Sequence, residues 1–96
     1  MAKRSVPDLG IEYDLWGEYP VEALGEVPDR EFYFQAKYSE WEFEVADANG
    51  VLPSDGGKPE FVRLGKHFDA SHMPHDEAAS LIESFLREYA ATAAVD

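Results

Sequence analysis

The chain contains no cysteine, which excludes a disulfide framework and thiolate chemistry and fits a reducing compartment. It also lacks any apolar run near the roughly 20 residues that cross a bilayer. The opening MAKRSVPDLG has two basic residues but no apolar stretch behind them, so no signal peptide and a cytoplasmic location are expected. No period repeats along the sequence. Basic residues are scarce: 8 Lys and Arg stand against 20 Asp and Glu, a formal charge of −12. That balance disfavours direct contact with nucleic acid or anionic membranes, which recruit Lys and Arg. It favours a basic partner, although acidity also serves simply to keep a small protein soluble.

What is present argues for a folded domain. The 96 residues suit one domain with a modest core, residues 1–96, and the 45% hydrophobic and 14% aromatic content argues against disorder in spite of the charge. The organising stretch is 31–47, EFYFQAKYSEWEFEVAD. Phe32, Phe34, Ala36 and Tyr38 alternate with polar residues, and Trp41, Phe43 and Val45 alternate with Glu40, Glu42 and Glu44. Strict alternation of this kind marks two strands with one buried face each. A reversal at Ser39–Glu40 would set Tyr38 against Trp41, Ala36 against Phe43 and Phe34 against Val45, with Lys37 opposite Glu42. A slip of one residue would drive the glutamates into the core, so the faces are strongly specified.

Around the hairpin the reading is coarser. Residues 1–7 are expected to form a loose arm, and Leu9–Trp16 alternates as a strand. Residues 18–29 carry Pro20, Gly25 and Pro28, which rule out a long helix and leave a helical turn or a short extended segment. Residues 48–59, ANGVLPSDGGKP, are turn-rich and expected to be flexible, and 60–68 reads as another strand, weakened at Gly65. Pro74 suits a helix start, and Ala78, Leu81, Ile82, Phe85, Tyr89 and Ala93 recur at three- and four-residue steps, predicting an amphipathic helix over about 74–93. The expected architecture is a two-layer α+β domain in which an antiparallel sheet of three to four strands packs on one C-terminal helix.

Three groups of residues are candidates for function. Glu12, Asp14, Glu42 and Glu44, with Tyr33 among them, would lie on the outer sheet face. Same-face neighbours on a strand are about 7 Å apart, near the spacing of phosphates on a nucleic-acid strand. Such a face would occupy a basic, nucleic-acid-binding surface of a partner. This is the leading expectation: a non-enzymatic inhibitor in the manner of an immunity protein, an antitoxin or a phage-type, anti-CRISPR-like DNA mimic. The second group is His67, His72 and His75, with Asp69 or Asp76, which would supply nitrogen and oxygen ligands to a metal, although the H-x4-H-x2-H spacing matches no established signature. The third alternative is a subunit of a larger assembly, contacting it by a sheet edge or the 48–59 loop. No catalytic residue and no cofactor is expected: no carboxylate stands in an apolar setting, Ser71 beside His72 is not a triad, and Gly56–Gly57 does not precede a helix.

Overall fold

In the computed structural model, which describes residues 2–27 and 30–94, the chain forms six strands and then a long helix. The strands are β1 (Ala2–Val6), β2 (Ile11–Trp16), β3 (Val21–Val27), β4 (Arg30–Lys37), β5 (Glu40–Val45) and β6 (Phe61–Lys66), followed by α1 (His75–Ala94). Each strand pairs antiparallel with the next, in the order β1-β2-β3-β4-β5-β6, so the sheet is a single meander with β1 and β6 at its edges. The α+β layout matches the sequence expectation; the strand count, six rather than three to four, does not. No helix among the described residues is long and apolar enough to cross a membrane.

The two additional strands have clear causes. Residues 2–6, expected as an arm, pair along β2 from Ala2↔Leu15 to Val6↔Ile11. Val6 enters the core, and Arg4 reaches Asp76 at the start of α1 at 3.0 Å. Strand β3 is extended in spite of Gly25, because that glycine lies between two aromatic residues, Tyr13 on β2 and Phe32 on β4, whose rings meet 5.9 Å apart. Pro28, one of the supposed breakers, lies outside the described residues.

One face of the sheet carries Tyr13, Leu15, Ala23, Phe32, Phe34, Phe43 and Val45, all buried. Helix α1 covers it with Ala78, Ile82 and Leu86 fully buried and Leu81, Phe85 and Tyr89 at the margin. Phe43 is the hub, with ring centroids 5.3 Å from Phe85, 5.5 Å from Phe32 and 6.1 Å from Phe61. Salt bridges pin the helix at both sides: Arg63 of β6 to Glu88, and Arg87 to Asp8 in the 3-10 turn at Pro7–Leu9. Within α1, Glu83 and Arg87 form an i,i+4 pair at 2.7 Å.

The hairpin keeps the predicted faces but not the predicted register. The observed pairs are Ala36↔Trp41, Phe34↔Phe43 and Phe32↔Val45, and Lys37 faces Glu40 rather than Glu42. The chain reverses one residue earlier, at Tyr38–Ser39, with Tyr38 at φ 59. A non-glycine residue in this left-handed region costs on the order of 1–2 kcal/mol, so the surroundings must impose it. Buried Ser71 does so: its Oγ accepts the Tyr38 N–H at 2.5 Å, and its own N–H donates to the Tyr38 carbonyl at 3.3 Å.

Candidate partner-binding face

The sheet face away from α1 presents, row by row across the strands, Lys3, Asp14, Leu24, Tyr33, Glu44 and Val62, and next to them Trp16, Glu22, Gln35, Glu42 and Leu64. A third row brings Ser5 opposite Glu12 and Glu26 directly opposite Glu31. The β2–β3 pairing ends at Tyr13↔Gly25, and Glu12 and Glu26 are the next residues along the two strands. Like charges facing each other across a ladder destabilise a sheet, so this row works against folding.

Of the five residues singled out in the sequence, four line this face as expected. Glu12 is exposed, Asp14 is half-buried with Lys3 at 3.7 Å, Glu42 is half-buried, and Tyr33 is half-buried with its hydroxyl donating to Glu22 Oε1 at 2.6 Å. Burial, and then the bond to Glu22, push the Tyr33 phenol well above its ordinary range, so it remains a neutral donor. The fifth is displaced from the expected role. Glu44 points to the same side but is fully buried, because the 48–59 loop folds over it. Ser54 supplies the cover: its hydroxyl donates to Glu44 Oε1 and its N–H to Oε2 at 3.2 Å. The loop is tied at its base as well, where Asp47 accepts backbone N–H bonds from Asn49, Val51 and Lys58 at 2.9, 3.1 and 2.9 Å. Those donors hold the Asp47 carboxyl below the usual range, Lys58 first. On β5 this leaves half-buried Glu42 and exposed Glu40 as the carboxylates open to the outer face.

The Glu42–Glu44 contact gives a pH prediction. Burial first, and then the charge and hydrogen bond of Glu44, raise the Glu42 carboxyl above its ordinary value. A carboxyl whose pKa is higher in the folded state adds stability below its unfolded pKa and loses that contribution as pH rises through the folded one. Glu42→Gln, which cannot ionise, should therefore raise the melting temperature at pH 7 by about 2–4 °C, on the order of 0.5 kcal/mol after solvent screening. The gain should vanish below about pH 4, where the wild-type carboxyl is protonated. Thermal melts of the two proteins from pH 3 to pH 8 check this.

The arginines are spent elsewhere, while Lys3, Lys37 and Lys66 lie on the outer side of their strands, the last two on either side of Glu40 towards the β4–β5 turn. Each of the four arginines is ion-paired: Arg4 with Asp76, Arg30 with Glu60, Arg63 with Glu88 and Arg87 with both Asp8 and Glu83. On the outer face only Lys3–Asp14 pairs among the described residues, leaving Glu12, Glu22, Glu26, Glu31 and Glu42 without a cationic partner there. In their midst lie Trp16, Leu24 and Tyr33, and towards the β4–β5 turn a depression of about 570 Å³ exposes Leu64. Sequence reasoning missed Glu22, Leu24, Glu26 and Glu31. The alternation of Glu22, Leu24 and Glu26 against Val21, Ala23, Gly25 and Val27 is the signal that would have found the first three.

The histidines do not form one group. His67 Nε2 meets Glu77, His72 lies 2.8 Å from Asp69 and 3.7 Å from Glu18, and His75 Nε2 is 2.8 Å from the Gly17 carbonyl. No cluster of three His, Asp or Glu side chains able to hold a metal exists among the described residues. The segment instead works as a fastener, drawing the β6–α1 connection onto the β2–β3 and β4–β5 loops. No protein-family model matches the chain, and comparison with curated proteins and with solved structures gives no significant match.

Proposed function

We propose that the outer sheet face binds a basic surface of another protein and blocks it, and that this surface is one that otherwise holds nucleic acid. The role is that of a non-enzymatic inhibitor, analogous in character to an immunity protein, an antitoxin or a DNA-mimicking phage inhibitor. The observation that carries the reading is the segregation of charge. The arginines are all engaged at the helix or the sheet margins and the outer-face lysines stand in other rows, while Glu12, Glu26 and Glu31 stand on adjacent strands with no ion pair among the described residues. A row that repels itself is compensated when an outside cation arrives. Leu24 and Tyr33 in the next row, and Trp16 one row further, supply the apolar and aromatic contact that interface centres favour, with carboxylates as the rim. With Glu44 covered, the reading rests on this charge segregation rather than on a carboxylate-for-phosphate match along β5.

The test is capture on the immobilised wild-type protein from the native host, followed by affinity measurement with the purified partner. A basic nucleic-acid-binding partner is expected, displaced by its own DNA or RNA, with affinity falling steeply between about 50 and 200 mM salt. The triple variant Glu12→Lys, Glu26→Lys, Glu31→Lys should lose at least about tenfold in affinity, more than 1.4 kcal/mol, while its melting temperature stays level or rises. A partner held equally well by that variant, or unaffected by nucleic acid, would overturn the proposal.

A further inference from the structure

At the end of the sheet beyond the β4–β5 turn, three connections converge: the β2–β3 loop, the Tyr38–Ser39 turn and the segment from His67 to Pro74 that leads into α1. They expose Tyr19, Tyr38 and Phe68, with 59%, 64% and 95% of their surface open to solvent. The Tyr19 and Tyr38 rings are perpendicular with centroids 6.2 Å apart, and the His72 ring lies against Tyr19 at 5.5 Å. Glu18 and Asp69, whose side chains are 73% and 54% exposed, flank the rings. We infer that this end of the sheet is a recognition site for an arginine side chain presented by a partner protein, separate from the outer face and independent of the role proposed for it.

Three observations support that assignment. First, the backbone that carries the two tyrosines is held in place. Buried Ser71 accepts the Tyr19 N–H at its carbonyl, 2.8 Å away, and the Tyr38 N–H at its hydroxyl, while His75 ties Gly17. The backbone share of the ordering cost on binding is thus already met by the fold. Second, the site already attracts a cation: the Lys37 ammonium lies 5.3 Å from the Tyr38 ring centroid, the geometry of a cation–π contact. Third, carboxylates stand beside aromatic faces, which is the pairing that suits a guanidinium, planar enough to stack and forked enough to bond an acid. An apolar partner would gain nothing from Glu18 and Asp69, and a second copy of this acidic chain would be repelled by them.

The site carries its own control. His72 is faced by Asp69 on the same connection and by Glu18 and the Tyr19 ring from the β2–β3 loop. The bond to Asp69, chiefly, raises its pKa, so the ring holds its proton to higher pH than a free histidine. A protonated His72 occupies the carboxylates that an incoming guanidinium needs. Arginine binding should therefore strengthen as pH rises through the titration of His72.

The probe is acetyl-Gly-Gly-Arg-Gly-Gly-amide, with its neutral citrulline counterpart as control, titrated into the full chain and followed by NMR. Saturable shifts are expected at Tyr19, Tyr38 and His72 with the arginine peptide and none with citrulline. Tyr38→Gly removes one ring at a position where φ 59 favours glycine, so the fold should persist while binding weakens at least fivefold. Tyr19→Leu is the second variant, and Asp69→Asn keeps a residue that tolerates the left-handed region while removing the charge. His72→Gln should bind with no pH dependence between 6 and 8, and Glu26→Lys with Glu31→Lys should bind as wild type. Equal shifts with citrulline, shifts mapped to Glu12, Glu26 and Glu31 instead, or undiminished binding in both tyrosine variants would overturn the assignment.

Discussion

Gly25→Ala should destabilise the protein by about 3 kcal/mol, a fall of roughly 12–24 °C in melting temperature for a domain of this size. Gly25 stands between Tyr13 and Phe32 in the sheet, on the face covered by the helix. A Cβ there would come within 2.5 Å of the Tyr13 Cβ and 2.8 Å of the Phe32 ring. Neither neighbour can yield cheaply: the Tyr13 Cβ is fixed by its own backbone, and Phe32 is fully buried. Alanine in place of glycine would ordinarily gain about 0.5–1 kcal/mol in a strand, which is too little to offset the overlap. Equilibrium unfolding in urea measures the loss, and a decrease under 1 kcal/mol would mean that the two rings are not packed across this glycine. Phe32→Leu in the same chain should recover part of it, because contacting residues couple. Gly65 makes a useful contrast. An added Cβ would approach the Trp41 ring to 2.1 Å, but Trp41 is only half-buried and Gly65 lies on edge strand β6, so Gly65→Ala should cost less.

The same glycine explains why part of the fold was hard to read. Strands β4 and β5 and helix α1 declare themselves, since large apolar residues recur at two-residue or at three- and four-residue steps. Strand β3 puts Ala23 and Gly25 at the positions facing the helix, where bulky partners on β2 and β4 fill the space, so its own apolar signal is faint. Strand β1 is five residues long and directs Arg4 as well as Val6 towards the helix side, and its pairing with β2 carries the information that its composition lacks.

For the hairpin, alternation fixes which residues share a face, but moving the turn by one residue keeps every face intact. The choice of Tyr38–Ser39 depends on Ser71, more than thirty positions away, and no local pattern contains it. The candidate face follows the same logic. That Glu12, Asp14, Tyr33 and Glu42 lie on one side could be read from their spacing. That Glu44 is covered by Ser54, and that Glu26 and Glu31 complete a row with Glu12, depends on loop placement and strand order, which are long-range properties.

Phe43→Ala should cost about 3–5 kcal/mol, the other large loss expected from a single substitution. The Phe43 ring is fully buried and meets three others, on β4, β6 and α1. Removing it takes away apolar surface held from water and opens a cavity whose walls belong to different elements, so no single segment can move in to close it. A domain of this size has about 5–14 kcal/mol in hand, so the variant should sit close to its unfolding limit at 37 °C. Phe43→Leu keeps most of the volume and should lose no more than about 1.5 kcal/mol. Urea denaturation separates the outcomes: a midpoint that falls at unchanged slope is a loss of stability, whereas a lower slope would mean a loosened native state or a more compact unfolded one. Because the outer row of carboxylates repels itself and gains nothing from its own neighbours, the inner aromatic cluster must hold the sheet flat against the helix. If Phe43→Ala melted within a few degrees of wild type, some other contact would have to be opposing that repulsion.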